Sequence, residues 1–287
     1  MATSYSPSNR FEIKVWDVEF RSTPTRRLMA RIYQPQGAGP FPALLDLHGG
    51  AWNNQDRTAN APMDEKLAAS GILVVAIDLT LAPEAPYPAS VADANYGVRW
   101  LKSKAREWNG DPATVGALGS SSGGHVIELC AMRPNDSRYN VRPLAGAPGI
   151  DATLIYVATR SPVSDPYVRY LNAEKRSWEE MMKYSKTYFD PWESIHEGNP
   201  QEILDRREAV TLPPLLIMQG ELDDNVLPSV QEKFANSYRA AGGECLYEVF
   251  AGCEHRWVAK EGAQTDAAAE MVKEFIARQL HRRRRAA

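Results

Sequence analysis

With 287 residues, 44% of them hydrophobic, the chain is long enough to form one large α/β domain around a buried core. A formal net charge of -3 argues against a nucleic-acid partner, and no apolar run approaches the length needed to span a bilayer, so no membrane partner is expected either. Three cysteines (Cys130, Cys245, Cys253) and a start without an apolar leader pattern point to reduced thiols and a cytoplasmic location.

Residues 11–20 alternate in a β-like way, and 28–33 form a second short strand. The turn-forming residues 22–27 between them predict an antiparallel edge hairpin. After a Pro- and Gly-rich loop, residues 43–47 (Ala-Leu-Leu-Asp-Leu) make a nearly continuous apolar strand, the type buried on both faces of a parallel sheet. Helix and strand then alternate. Helices are predicted at 61–70, 90–105, 122–132, 228–241 and 267–280, and strands at 72–77, 115–118, 153–157, 215–218 and 245–250. Eight strands in this rhythm imply a mostly parallel sheet with helices on both faces. No internal repeat or linker divides it, so residues 1–287 are expected to be one domain. The basic run 281–285 is expected to be a solvated tail, and the last helix and edge strand leave room for a homodimer.

One connection is too long for the rhythm. About sixty residues separate the strands near 153 and 215, where short loops are the rule. Residues 161–169 read as a loop and 174–188 as a helix, with Trp178, Met181, Met182, Tyr184, Tyr188, Phe189 and Trp192 in the segment. Two readings stand: a cap-like insertion at 161–210, before the seventh strand and over a pocket, or a satellite helix packed on the sheet edge.

The most informative stretch is Gly119-Ser120-Ser121-Ser122-Gly123-Gly124, between a strand and a helix. A Gly-x-Ser-x-Gly there is the sequence form of a nucleophile elbow, a tight turn that lifts a serine hydroxyl above the sheet. The residues two before and two after the serine crowd the neighbouring backbone and must be small. Ser121 has glycines at both places; Ser122 fits less well and Ser120 does not fit.

A serine hydroxyl is a weak nucleophile and needs a base, which needs an acid to orient it, in the chain order Ser, Asp or Glu, His. Among five histidines, His48 precedes the serine, His125 is carried away on the elbow helix, and His196 and His281 lie in the insertion and the tail. His255, in the loop after the last strand, is the candidate base. The turn after the strand at 215–218 offers Glu221, Asp223 and Asp224, with Asp223 in the best phase and Asp224 as the alternative. His48-Gly49-Gly50 follows the third strand. The N–H groups of Gly49 and Gly50, with that of Ser122, are candidates for an oxyanion hole, and His48 for a residue pinning that loop. Trp52 and the aromatic insertion, including Trp192, are candidate pocket walls, though core packing would explain them equally.

The combination resembles the α/β-hydrolase superfamily, specifically the hormone-sensitive-lipase-like carboxylesterases. Asp78-Leu79-Thr80-Leu81-Ala82-Pro83-Glu84 followed by Pro86-Tyr87-Pro88-Ala89 is similar to that family's Tyr-Arg-Leu-Ala-Pro-Glu and Pro-x-Pro-Ala stretch. The resemblance runs from about residue 41 to the last helix. Ala51 stands in place of a third glycine, Ser120 where an aspartate is common, and Thr80 in place of a tyrosine. It implies an eight-stranded α/β-hydrolase that cleaves carboxylic esters through an acyl-enzyme, without metal or cofactor, on a small-molecule ester. Glu84 and Asp93 would fasten loops. Aryl formamidase, amidase or lactonase activity would use the same residues. A receptor on this fold would typically lack a member of the triad, and all three types are present here.

Overall fold

The computed structural model describes residues 5–23, 25–257 and 260–286. Its sheet has eight strands in the order β1-β2-β4-β3-β5-β6-β7-β8. β1 (Ile13–Ser22) and β2 (Arg27–Pro35) form the antiparallel hairpin, and β2 runs antiparallel to β4 (Leu73–Ile77). From β4 onward, β3 (Phe41–Leu47), β5 (Gly110–Ser120), β6 (Val157–Arg160), β7 (Leu215–Gly220) and β8 (Cys245–Phe250) are all parallel. Every residue of β3, β4 and β7 is buried, as continuous apolar runs covered on both faces must be.

Two apolar cores flank the sheet. On one face α2 (Ala89–Lys104), α3 (Ser122–Met132) and α8 (Pro228–Ala240) bury Val91, Val98, Ile127 and Phe234 in the core that also holds Leu45 and Leu47. On the other, α1 (Ala61–Ala69) and α9 (Ala263–Ala286) bury Met63, Leu67, Val272 and Phe275 against Leu44 and Val74. The alternation of Leu44 and Leu45 between the cores is the period-2 geometry of a strand. The resemblance's loop-fasteners do tie loops: Asp93 accepts from the Thr80 N–H (2.7 Å) and pairs with Arg21 (2.8 Å), and Glu84 accepts from Thr25 (2.6 Å).

Three expectations change. The strand at 153–157 is shifted to Val157–Arg160, because its last residues, Thr159 and Arg160, are polar yet fully buried. The long connection holds α4 (Pro166–Lys175), α5 (Glu179–Tyr188), α6 (Ser194–Glu197) and α7 (Pro200–Asp205) instead of a loop and one helix. α4 starts within the stretch read as a loop, with Asp165 capping the Val168 N–H (3.1 Å) and Pro166 in the first turn. Ser177, at φ 53°, breaks the helix from α5. The basic run is the exposed end of α9 and not a tail, and its arginines suit the negative end of the helix dipole.

Candidate active site

Ser121 sits between β5 and α3 at φ 51°, ψ -117°, a left-handed conformation unfavourable for an L-residue. Its neighbours hold it there: its N–H donates to Arg160 O (2.9 Å), and its own carbonyl accepts from Val163 N (3.1 Å) and His125 N (3.1 Å). The glycines on either side are sterically required. A Cβ at Gly119 would stand 2.6 Å from Gly123 O, and one at Gly123 would stand 2.3 Å from His48 O. The second contact seats the start of α3 directly on the end of β3.

The three residues expected to work together meet. Ser121 Oγ is 2.9 Å from His255 Nε2, and His255 Nδ1 is 2.8 Å from Asp223 Oδ2. Asp223 is 2% exposed, and its carboxylate is saturated with donors. Oδ1 accepts from the N–H groups of Asn225 (3.1 Å) and Val226 (2.8 Å), and Oδ2 also accepts from Gln219 Nε2 (3.0 Å). Burial pushes this carboxyl up, but the hydrogen bond and charge of His255 and the Val226 N–H outweigh it and hold it below its ordinary value. Asp224 points elsewhere and pairs with Arg176 (2.5 Å).

The loop after β3 approaches the serine. A Cβ on Gly49 would lie 3.2 Å from Ser121 Cβ, and Gly50 adopts φ 98°, which a glycine takes without strain. His48 is 2% exposed and donates from Nδ1 to Gly49 O (2.8 Å), pinning the loop; burial lowers its pKa. Ser122 is buried in the first turn of α3.

Ser121 and His255 open onto a cavity of about 600 Å³. Gly49, Gly50, Ala51, Asn54 and Gln55 line one side, Arg169, Trp178, Met181 and Tyr184 of the insertion another, and Leu222, Asp224 and Asn225 a third. The two tryptophans proposed as walls are elsewhere. Trp52 is 3% exposed; it stacks on Tyr188 (4.7 Å between centroids, 4° between planes) and donates from Nε1 to His125 Nδ1 (3.1 Å). Trp192 packs on Tyr170 (4.6 Å) and lines a separate groove with Lys186 and Phe189. Composition does not distinguish a ring facing a cavity from one packed beneath it.

Several site residues carry no motif. His125 bridges Trp52 and Gly198 O (2.7 Å) and is fully buried, so its pKa falls to about 4 and it stays neutral. Ser120 belongs to a buried polar chain: Arg160 donates to Ser120 Oγ, Ser120 to Asn60 Oδ1 (3.2 Å), and Asn60 Nδ2 to Asp46 Oδ2 (2.7 Å). Arg169 lies on α4, whose Asp165-Pro166 start was a readable signal in the sequence. Among the described residues no group of His, Cys, Asp and Glu is arranged to hold a metal ion, and no helix is long and apolar enough to cross a membrane.

The BD-FAE family model matches residues 31–238. Esterase LipC of Mycobacterium tuberculosis is 25% identical over 257 residues, covering 85% of this chain and 60% of LipC. Esterase LipQ of the same organism is 26% identical over 244 residues, covering 82% of this chain and 55% of LipQ. The chain thus spans little more than half the length of these relatives. Among solved structures, Thermogutta terrifontis esterase 2 superposes with a TM-score of 0.74 at 20% identity, covering 92% of this chain and 94% of its own. Carboxyl esterase 2 of Tuber melanosporum gives 0.75 at 19% identity, covering 96% and 90%. The chain belongs to the BD-FAE family and has the α/β-hydrolase fold.

Proposed function

We propose that the protein is a carboxylic ester hydrolase working through a serine acyl-enzyme. Ser121 Oγ attacks the ester carbonyl while His255 Nε2 takes its proton. Asp223 holds the His255 tautomer and stabilises the imidazolium. The N–H groups of Gly49, Gly50 and Ser122 receive the oxyanion, a contribution typically worth on the order of 100-fold per donor. The tetrahedral intermediate collapses as His255 returns the proton to the leaving alcohol. Water, activated by the same histidine, then releases the acid. Helices α4 and α5 cap the cavity, within an insertion at 161–210 of a single domain.

The observation that carries this reading is the continuous relay Ser121–His255–Asp223 at 2.9 and 2.8 Å, opening onto a cavity. The names of the relatives support it: LipC and LipQ are esterases. Thermogutta terrifontis esterase 2 is described as phosphoramylated by tabun and, in another structure, as propionate bound. Hydrolysis of a short p-nitrophenyl ester tests it. Wild type and Ser122→Ala turn the ester over, and Ser121→Ala, folded by circular dichroism, does not. Activity retained in Ser121→Ala and lost in Ser122→Ala would move the nucleophile by one residue.

A further inference from the structure

Arg169 is a buried cation at the wall of the active-site cavity, and among the described residues no carboxylate pairs with it. It is 4% exposed. Its Nε donates to Asn225 Oδ1 (2.9 Å), its Nη2 contacts Met181 Sδ, and its guanidinium lies 5.3 Å above the Trp52 ring. Nη1 has no partner among the described residues. The carboxylate whose charge it feels is Asp223, but both oxygens of Asp223 are already occupied by His255, Gln219, Asn225 and Val226.

Among the other arginines, the partly buried Arg133 pairs with Glu197 (2.7 Å) and Glu208, and the fully buried Arg160 feels the charges of Asp46 and Asp64, while Arg99, as buried as Arg169, is held by Asn95 Oδ1 (2.9 Å) and Arg142 O (2.8 Å). Burying a cation with only an amide, a thioether and a ring for company is costly. Burial lowers the pKa of Arg169, but only to about 10, so it stays charged at neutral pH. Asn225 and Met181 engage Nε and Nη2, which leaves Nη1, shielded from solvent, as the donor without a partner; a guanidinium fork is able to grip a carboxylate with two parallel bonds. Trp52 supports it from one face, so its direction is fixed before a ligand arrives.

We propose that Arg169 recognises a carboxylate on the substrate, so that the preferred esters are acidic: half-esters of dicarboxylic acids, or esters of a hydroxy acid. This rests on the esterase reading and narrows it to a substrate class. A structural role for Arg169, tying α4 to Asn225, is the competing account, and the two differ in how a variant treats two matched substrates.

The test compares p-nitrophenyl butyrate with mono-p-nitrophenyl succinate, and phenyl butyrate with the butyryl ester of 4-hydroxybenzoate, in wild type, Arg169→Gln and Arg169→Lys. Wild type favours the acidic member of at least one pair. Arg169→Gln lowers that acidic-to-neutral ratio of kcat/KM by about 10- to 100-fold, mainly through KM, and Arg169→Lys restores part of it. No preference in wild type for either acidic ester, or a fall in Arg169→Gln that leaves both ratios unchanged, overturns the proposal. Binding of monoethyl succinate to Ser121→Ala, measured by calorimetry, reads the same contact without turnover. Affinity weakened at least 10-fold by adding Arg169→Gln supports the contact, and unchanged affinity contradicts it. Failure of wild type to hydrolyse any of the four esters would instead remove the esterase reading.

Discussion

Ser121 is held in a backbone conformation that its neighbours enforce, and the reason is steric at both flanks. Gly119 and Gly123 leave no room for a side chain, so β5 and α3 meet at a turn too tight for an ordinary residue. On the proposed mechanism the partners are as specific as the turn. Asp223→Asn retains the shape of the side chain but removes the charge and favours the wrong tautomer of His255. It is expected to lower kcat by about 10,000-fold with little change in thermal stability; a loss under 10-fold in steady-state kinetics would show that Asp223 is not the orienting acid. This part of the site was readable because a strained turn, a loop histidine and a loop aspartate each impose residue types at fixed places along the chain. Arg169 and His125 were not readable in that way. Their roles come from neighbours 56 to 117 residues away, Trp52, Asn225 and Gly198, which no local pattern records.

At the scale of elements, the loop after β3, helix α3 and the insertion are locked together through one histidine. His125 accepts from Trp52 and donates to Gly198 O, and Trp52 stacks on Tyr188 of α5. Because burial depresses the His125 pKa to about 4 from an ordinary 6.5, the native state refuses a proton that the unfolded chain accepts. That contribution to stability is complete above pH 6.5 and is lost as pH falls towards 4, at about 1.4 kcal/mol per pH unit. Urea midpoints for wild type and His125→Gln are therefore expected to diverge in slope between pH 6 and 4.5, the variant being flatter by about one proton; parallel slopes would contradict the neutral buried state. Gly123→Ala is expected to drive α3 off the end of β3, costing about 1–3 kcal/mol in urea denaturation and most of the proposed esterase activity. A variant with wild-type stability and activity would show that the contact yields. The elements around these residues were mostly legible from apolar periodicity. Within the insertion, α5 lies inside the helix expected at 174–188, but α4 was not legible, because it announces itself by a cap and a proline rather than by an apolar stripe.

For the whole molecule, the sheet carries a buried polar cluster directly behind the elbow. Arg160 on β6 donates to Ser120 on β5 and feels the charges of Asp46 on β3 and Asp64 on α1. Burial pushes Asp64 well up and raises Asp46, while the Arg160 charge pulls both back. Arg160→Met is expected to cost about 3–5 kcal/mol, because it leaves buried carboxyls without their counter-charge. Denaturant unfolding measures it, and a loss under 1 kcal/mol would show that the cluster is neutral in the native state. The order of strands and helices followed from the sequence, since continuous apolar runs and amphipathic helices dictate layers. The ionic centre did not follow, because a lone arginine at the end of an apolar strand reads as the strand's end, and only its partners across the sheet make it interior.

The central claim is that Ser121 is the nucleophile, and reaction with a fluorophosphonate probe tests it most directly. Peptide mapping by mass spectrometry is predicted to find one stoichiometric adduct on Ser121, present in wild type and Ser122→Ala and absent from Ser121→Ala. A folded wild-type protein that stays unlabelled, or an adduct on another serine, would contradict the account.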